Sequence, residues 1–331
     1  MRCGSGALLV AVILGTGCGR AAGPPHPPDP TSAPSASPHD SDSKSGKERL
    51  PAADREEGDW WVGESSHYVI FVQKRARNGT RESTEHARLQ ELKPRMELLH
   101  RKYSLAFGVH SNPEKKASIR LYLDKAAYQA AGAPSGSAAY YIPRTQELVA
   151  FEDGNEGGTH VFQVLCHEGC HQFFDLAFPG FYERRDLPMW FSEGLADCFG
   201  ASEIRGGDLF IFTLSGLAGG RIEVIQQAVL ARSHPSLRQL LEMNRASFMN
   251  GADLHYAMSW SLVHFLWNAP SMDAGNGAYH GVVIRLIEGL KAGKSGGTLV
   301  REAFQVNGKP INLDRLEGEW EAYVKKLRAK K

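Results

Sequence analysis

Residues 67–72, His-Tyr-Val-Ile-Phe-Val, are a run of apolar, largely β-branched and aromatic side chains that predicts a β-strand. A helical rhythm follows, with Leu89, Leu92, Met96, Leu99, Tyr103 and Phe107 recurring three or four apart. Pro94 lies inside that run and predicts a kink or a break. Clean alternation marks residues 118–123, with Ile119, Leu121 and Leu123 on one face. Asp124 is then placed to cap a short helix. Residues 138–142 and 147–151 flank Pro143-Arg144-Thr145-Gln146 and read as a hairpin. Thr159 is a suitable N-cap for the apolar helix that follows, around Val164, Leu165, Phe173 and Phe174.

Beyond Asp197 the pattern turns mostly helical, apart from a strand expected at 208–213. Segments 222–231, 236–243, 254–266, 281–290 and 313–327 carry helical spacing. The expected fold class is α+β: a mixed sheet beside a buried helix, then a mostly helical C-terminal half. Residues 59–205 would form the first half and 206–331 the second.

The first sixty residues are of another kind. Met1-Arg2 and the apolar run 7–14 form an export leader too short to span a bilayer. It ends in Leu14-Gly15-Thr16-Gly17-Cys18, which resembles a bacterial lipobox with Cys18 as the acylated residue. Gly15 departs from the usual Leu, and an ordinary signal peptide cut nearby is the other reading. Either one exports the protein, and the first makes it a cell-envelope lipoprotein anchored to the membrane through Cys18. Residues 19–58, rich in Pro, Ser, Ala, Gly and Asp, are expected to be a disordered tether, with folded structure beginning near Trp60-Trp61.

Composition narrows the function. With 38 basic and 37 acidic side chains the formal charge is +1, which points away from nucleic acid. Five cysteines are too few for a disulfide scaffold. Cys166, Cys170 and Cys198 read first as small buried core residues. A disulfide to Cys198 and thiolate ligation of a metal are the alternatives.

The candidate chemistry lies in His167-Glu168-Gly169-Cys170-His171. Two histidines four apart share a helix face and can reach one cation, with Glu168 beside them to act on a bound water. Glu193, 22 positions beyond His171 (193 − 171), can supply a third ligand. Asp197, one turn further on, can hold the second N–H of a ligand histidine. Two imidazoles and one carboxylate favour Zn2+.

The pairing H-E-x-x-H…E-x-x-x-D resembles the gluzincin, thermolysin-like branch of zinc metallopeptidases. The Trp190-Phe191-Ser192-Glu193-Gly194-Leu195-Ala196 wording looks like a bacterial branch of secreted and lipid-anchored members. The likeness is specific over residues 157–200 and looser over 65–300. It implies a zincin-like fold whose substrate-pairing edge strand would fall near 148–152. It also implies amide hydrolysis of a peptide or protein substrate, with Glu168 as general base and Tyr256 as oxyanion donor. His255 competes for that last role, and a core tyrosine is the plainer reading of Tyr256. A function of another class stays open: a lipid-anchored binding or scaffold protein that keeps zinc without turnover. Oligomeric state is left open.

Overall fold

In the computed structural model, which describes residues 53–75, 84–109, 115–134, 136–152, 159–178, 188–216, 218–268 and 279–328, the alternating segments assemble into one six-stranded sheet. Its strands are β1 (Arg55–Glu57), β2 (Trp60–Glu64), β3 (Tyr68–Gln73), β4 (Ala117–Tyr122), β5 (Ala139–Ile142) and β6 (Glu147–Phe151). The spatial order is β1-β2-β3-β4-β6-β5. β3–β4 and β4–β6 are parallel and the remaining pairs antiparallel, so the sheet is mixed. The leader, Cys18 and the tether as far as residue 52 lie outside the described residues.

Register explains why one face is apolar. Ile70, Ile119 and Leu148 stand side by side across β3, β4 and β6, and Val72, Leu121 and Ala150 form the next row; all six are buried. Helix α1 (Thr84–Phe107) packs on β2 and β3, and helix α3 (Thr159–Ala177) packs on β5 and β6. Between them in sequence, α2 (Lys125–Ala130) is capped by the Asp124 side chain, which accepts from the Ala127 amide at 2.8 Å.

Three expectations change here. The edge strand beside the H-E-x-x-H helix is β5 and not the segment near 148–152. β6 spends one side on β4 and the other on β5, so its backbone is fully paired, and the first strand of the hairpin is left outermost. Helix α1 continues through Pro94, so the break expected there does not occur. Pro94 is on the exposed side, where water can take the carbonyl that its missing N–H leaves unpaired. Ordered structure also starts earlier than Trp60, because β1 pairs with β2 and the Asp54 carboxylate is held by Lys93 at 2.7 Å.

The second half is helical. In chain order it holds α4 (Met189–Gly200), the hairpin β7 (Glu203–Arg205) and β8 (Asp208–Phe210), and α5 (Ala218–Ala231). Next come α6 (Leu237–Glu242), α7 (Arg245–Met249), α8 (Ala252–Asn268), α9 (His280–Lys291) and α10 (Gly296–Ala303). The small hairpin β9 (Gln305–Val306) and β10 (Lys309–Pro310) and the helix α11 (Leu313–Val324) complete it. α8 is buried on every side from His255 to Leu266, as an all-round apolar helix must be, and α4, α5, α7, α9 and α11 pack about it. The boundary expected at 205–206 falls inside the β7–β8 hairpin, and one apolar core runs from Tyr68 to Leu327 across it. No helix among the described residues is long and apolar enough to cross a membrane.

Candidate metal centre

Helix α3 is buried without a break from Val161 to Phe174, which puts His167, Glu168 and His171 in the interior. Gln172 fastens it to the sheet by donating to the carbonyls of Ser118 and Gln146, at 2.8 and 2.9 Å. α4 lies against α3 and brings Glu193 and Asp197, four apart and therefore on one face.

His167 Nε2 stands 3.6 Å from Glu193 Oε2, and His171 Nε2 stands 3.5 Å from the same oxygen. The three candidate ligand atoms all lie within 4.8 Å of one another. All three residues are buried, and none of those atoms has a hydrogen-bond partner. Three converging polar atoms left unpaired in the interior would each cost roughly 1–3 kcal/mol, a cost that a shared cation removes. The other imidazole nitrogens face groups of their own: His167 Nδ1 is in ion-pair contact with Asp197 Oδ1 at 2.9 Å, without the alignment of a hydrogen bond, and His171 Nδ1 lies 3.4 Å from Ser192 Oγ. Both histidines therefore present Nε2 to Glu193.

Glu168, Glu193 and Asp197 are three buried carboxylates, and the guanidinium of Arg221 on α5 pairs with one of them, donating from Nε to Asp197 Oδ2 at 2.8 Å. Burial works against ionising Glu193, but the two histidines outweigh it and hold its carboxyl below the ordinary range. Burial likewise opposes Asp197, and Arg221 and His167 outweigh it in the same direction. His167 is pushed up against its own burial by Asp197 and Glu193. A carboxylate-backed imidazole of this kind is a strong metal ligand once its proton leaves.

Glu168 differs from these acids. Both its oxygens are buried without a hydrogen-bond partner, and it is not among the three converging ligands. Burial is the largest influence and raises its pKa; the two histidines pull it down, Glu193 pushes it up, and the Tyr141 amide of the edge strand pulls it down again. Tyr256 on α8 lies close enough to the cluster for Glu193 and Asp197 to act on it, with Arg221 over its ring. Its hydroxyl is buried and unpartnered, and its pKa is raised first by burial and then by Glu193 and Asp197. His255 faces elsewhere: its Nδ1 lies 2.6 Å from the Phe248 carbonyl, and its ring packs over Gly251.

His167, Glu168, His171, Glu193, Asp197 and Tyr256 thus come together, and His255 does not. Cys166, Cys170 and Cys198 are free, buried thiols, so the expected alternative of a disulfide to Cys198 is not formed. Burial raises all three and keeps them neutral, which makes them poor metal ligands. Sequence reasoning missed Ser192 and Arg221. The second left a trace, because Arg221 is the only cationic residue in the apolar helix α5.

A family described as a protein of unknown function (DUF1570) matches residues 162–273. That stretch contains every residue of the cluster but excludes the sheet and its edge strand. No curated protein matches the chain.

Proposed function

We propose that this protein is a zinc-dependent peptidase that hydrolyses peptide bonds with Glu168 as general base. The observation that carries the reading is the convergence of two unpartnered Nε2 atoms and one Glu193 oxygen beside a separate, unpartnered Glu168 carboxylate. Two imidazoles and one carboxylate suit zinc and leave a coordination position for water. The likeness to gluzincins described above supports the same assignment.

His167, His171 and Glu193 would hold the ion. The chemistry supplied by zinc when bound is polarisation of the scissile carbonyl and a lowered pKa of water. Asp197, an acceptor only, favours the His167 tautomer that leaves Nε2 free, while the Ser192 hydroxyl, 3.4 Å from His171 Nδ1, can accept from or donate to that ring. The Glu168 carboxylate accepts the proton of the attacking water and delivers it to the leaving amine nitrogen. Its raised pKa suits both halves of that transfer. The Tyr256 hydroxyl, protonated and without another partner, donates to the oxygen that gains charge. Strand β5 is the outermost strand of the sheet among the described residues and lies beside α3, where an extended substrate chain would add. The lipobox-like sequence at Cys18 supports action at the cell envelope.

The test is digestion of a broad peptide library by the zinc-loaded protein, with and without chelator. Chelator-sensitive cleavage is the expected result. Tight zinc binding with no cleavage anywhere in the library would overturn the peptidase and leave the zinc-holding binding protein.

A further inference from the structure

We propose that Arg221 is a positioning residue that locks the His167 ligand and the Tyr256 phenol into a single arrangement. One guanidinium makes both contacts. Its Nε donates to Asp197 Oδ2 at 2.8 Å, while Asp197 Oδ1 stands 2.9 Å from His167 Nδ1. The same guanidinium lies over the Tyr256 ring, its central carbon 4.9 Å from the ring centroid. Arg221 therefore ties α5 to His167 on α3 through Asp197 on α4, and to Tyr256 on α8 directly.

Each contact removes a freedom that the site cannot tolerate. A carboxylate with only one partner can turn about its χ2 bond, and the histidine it backs then loses a fixed ring plane. Asp197 Oδ2 accepts from Arg221 and Oδ1 is in ion-pair contact with His167 Nδ1 at 2.9 Å, so turning the carboxylate would break one contact or the other. Tyr256 has no hydrogen bond from its hydroxyl, so its ring is held by packing alone. Two directional contacts act on the ring: the Arg221 cation over its face and an edge-to-face contact with Phe248 at 5.3 Å. The Arg221 side chain is 16% exposed, so both contacts are shielded from solvent. Lysine cannot reproduce the pair, because an ammonium is a point charge without a plane that donates at its edge and stacks on its face.

The zinc arm of the test stands whether or not the protein is a peptidase; only the turnover arm rests on that reading. Zinc affinity is measured by competition with a chromophoric chelator for wild type, Arg221→Ala, Asp197→Ala and the double variant. Arg221→Ala should bind zinc about 10–100-fold more weakly. The double variant should be no weaker than Asp197→Ala alone, because Arg221 acts through Asp197. Losses that add, or an Arg221→Ala affinity within about twofold of wild type, would overturn the proposal. Arg221→Gln serves in the same cycle if the alanine variant does not fold. Arg221→Lys should recover most of the zinc affinity while kcat stays about tenfold low, since only the Asp197 contact is restored. Wild-type kcat in Arg221→Lys would sink the Tyr256 half. A wild type that holds zinc but cleaves nothing defeats the peptidase reading, and the zinc cycle still decides Arg221.

Discussion

Gly194 on α4 lies directly against the backbone of Ser259 on α8. A β-carbon at position 194 would stand 2.4 Å from the Ser259 carbonyl oxygen and 2.9 Å from Val263 Cγ2. The two helices carrying Glu193, Asp197 and Tyr256 meet at this contact. Gly194→Ala should therefore destabilise the protein by roughly 1–3 kcal/mol and weaken zinc binding, since neither helix backbone can give way locally. Gly219→Ala is the control, because no neighbour among the described residues lies within 4 Å of a β-carbon there. Denaturation midpoints check both, and a stable Gly194→Ala protein with wild-type zinc affinity would refute the prediction.

About one zinc per chain is expected, held by His167, His171 and Glu193. Glu193→Ala removes one of three ligands and should strip most of the metal on dialysis. Metal analysis of the dialysed protein checks this. Full stoichiometry in that variant would mean that the third ligand lies elsewhere.

Glu168→Gln should keep both fold and zinc. Glutamine preserves the size of the side chain but cannot accept a proton. Peptide hydrolysis should then fall by about 10²–10⁴-fold or more. Zinc content and kcat, measured on the same sample, separate this result from loss of the ligand set. Zinc lost together with activity would contradict the assignment of Glu168 as base.

Tyr256 and His255 are neighbours in sequence with opposite environments. Tyr256→Phe should lower kcat by about 10²–10³-fold with metal content unchanged, as for removal of an oxyanion donor. His255→Ala frees the Phe248 carbonyl and should show mainly as a loss of stability of about 1–3 kcal/mol. The reverse ranking in kcat would move the oxyanion role to His255.

His264 should make the fold acid-sensitive. Burial, partly opposed by the Phe212 carbonyl, lowers its pKa from 6.5 to about 4. Its Nε2–H donates to that carbonyl at 3.1 Å, and its Nδ1 accepts from the Tyr323 hydroxyl at 2.6 Å, so the neutral ring is fully used. The unfolded chain takes up this proton first as pH falls. The stability tied to the neutral ring is therefore complete above about pH 6.5 and is lost progressively towards pH 4, at no more than about 1.4 kcal/mol per pH unit. His264→Gln should show a flatter dependence of the unfolding midpoint between pH 7 and 5. Glu97 does not interfere in that window: although burial opposes it, contacts with His67 and Ser65 lower its pKa from 4.5 to about 2, and its contribution is lost only below 4.5. Equal slopes in the two proteins would refute the assignment.

The sequence by itself determined whatever depends on spacing within one element. Residues four apart share a helix face wherever the helix is placed, so His167 with His171 and Glu193 with Asp197 were legible as pairs. Alternation over β4 marked its buried face in the same way, and the Asp124 cap needed only its own turn. Only the tertiary structure decided what depends on neighbours from distant parts of the chain. Alternation shows which face of a strand is buried but not which strand lies beside it, so β6 was mistaken for the edge that β5 occupies. Residues adjacent in a helix point about 100° apart, yet which of His255 and Tyr256 meets the metal ligands depends on how α8 sits against α4. Arg221 is 24 residues from Asp197 and 35 from Tyr256, and no local rhythm ties it to either. Its two contacts exist only because α4, α5 and α8 pack around one buried charge.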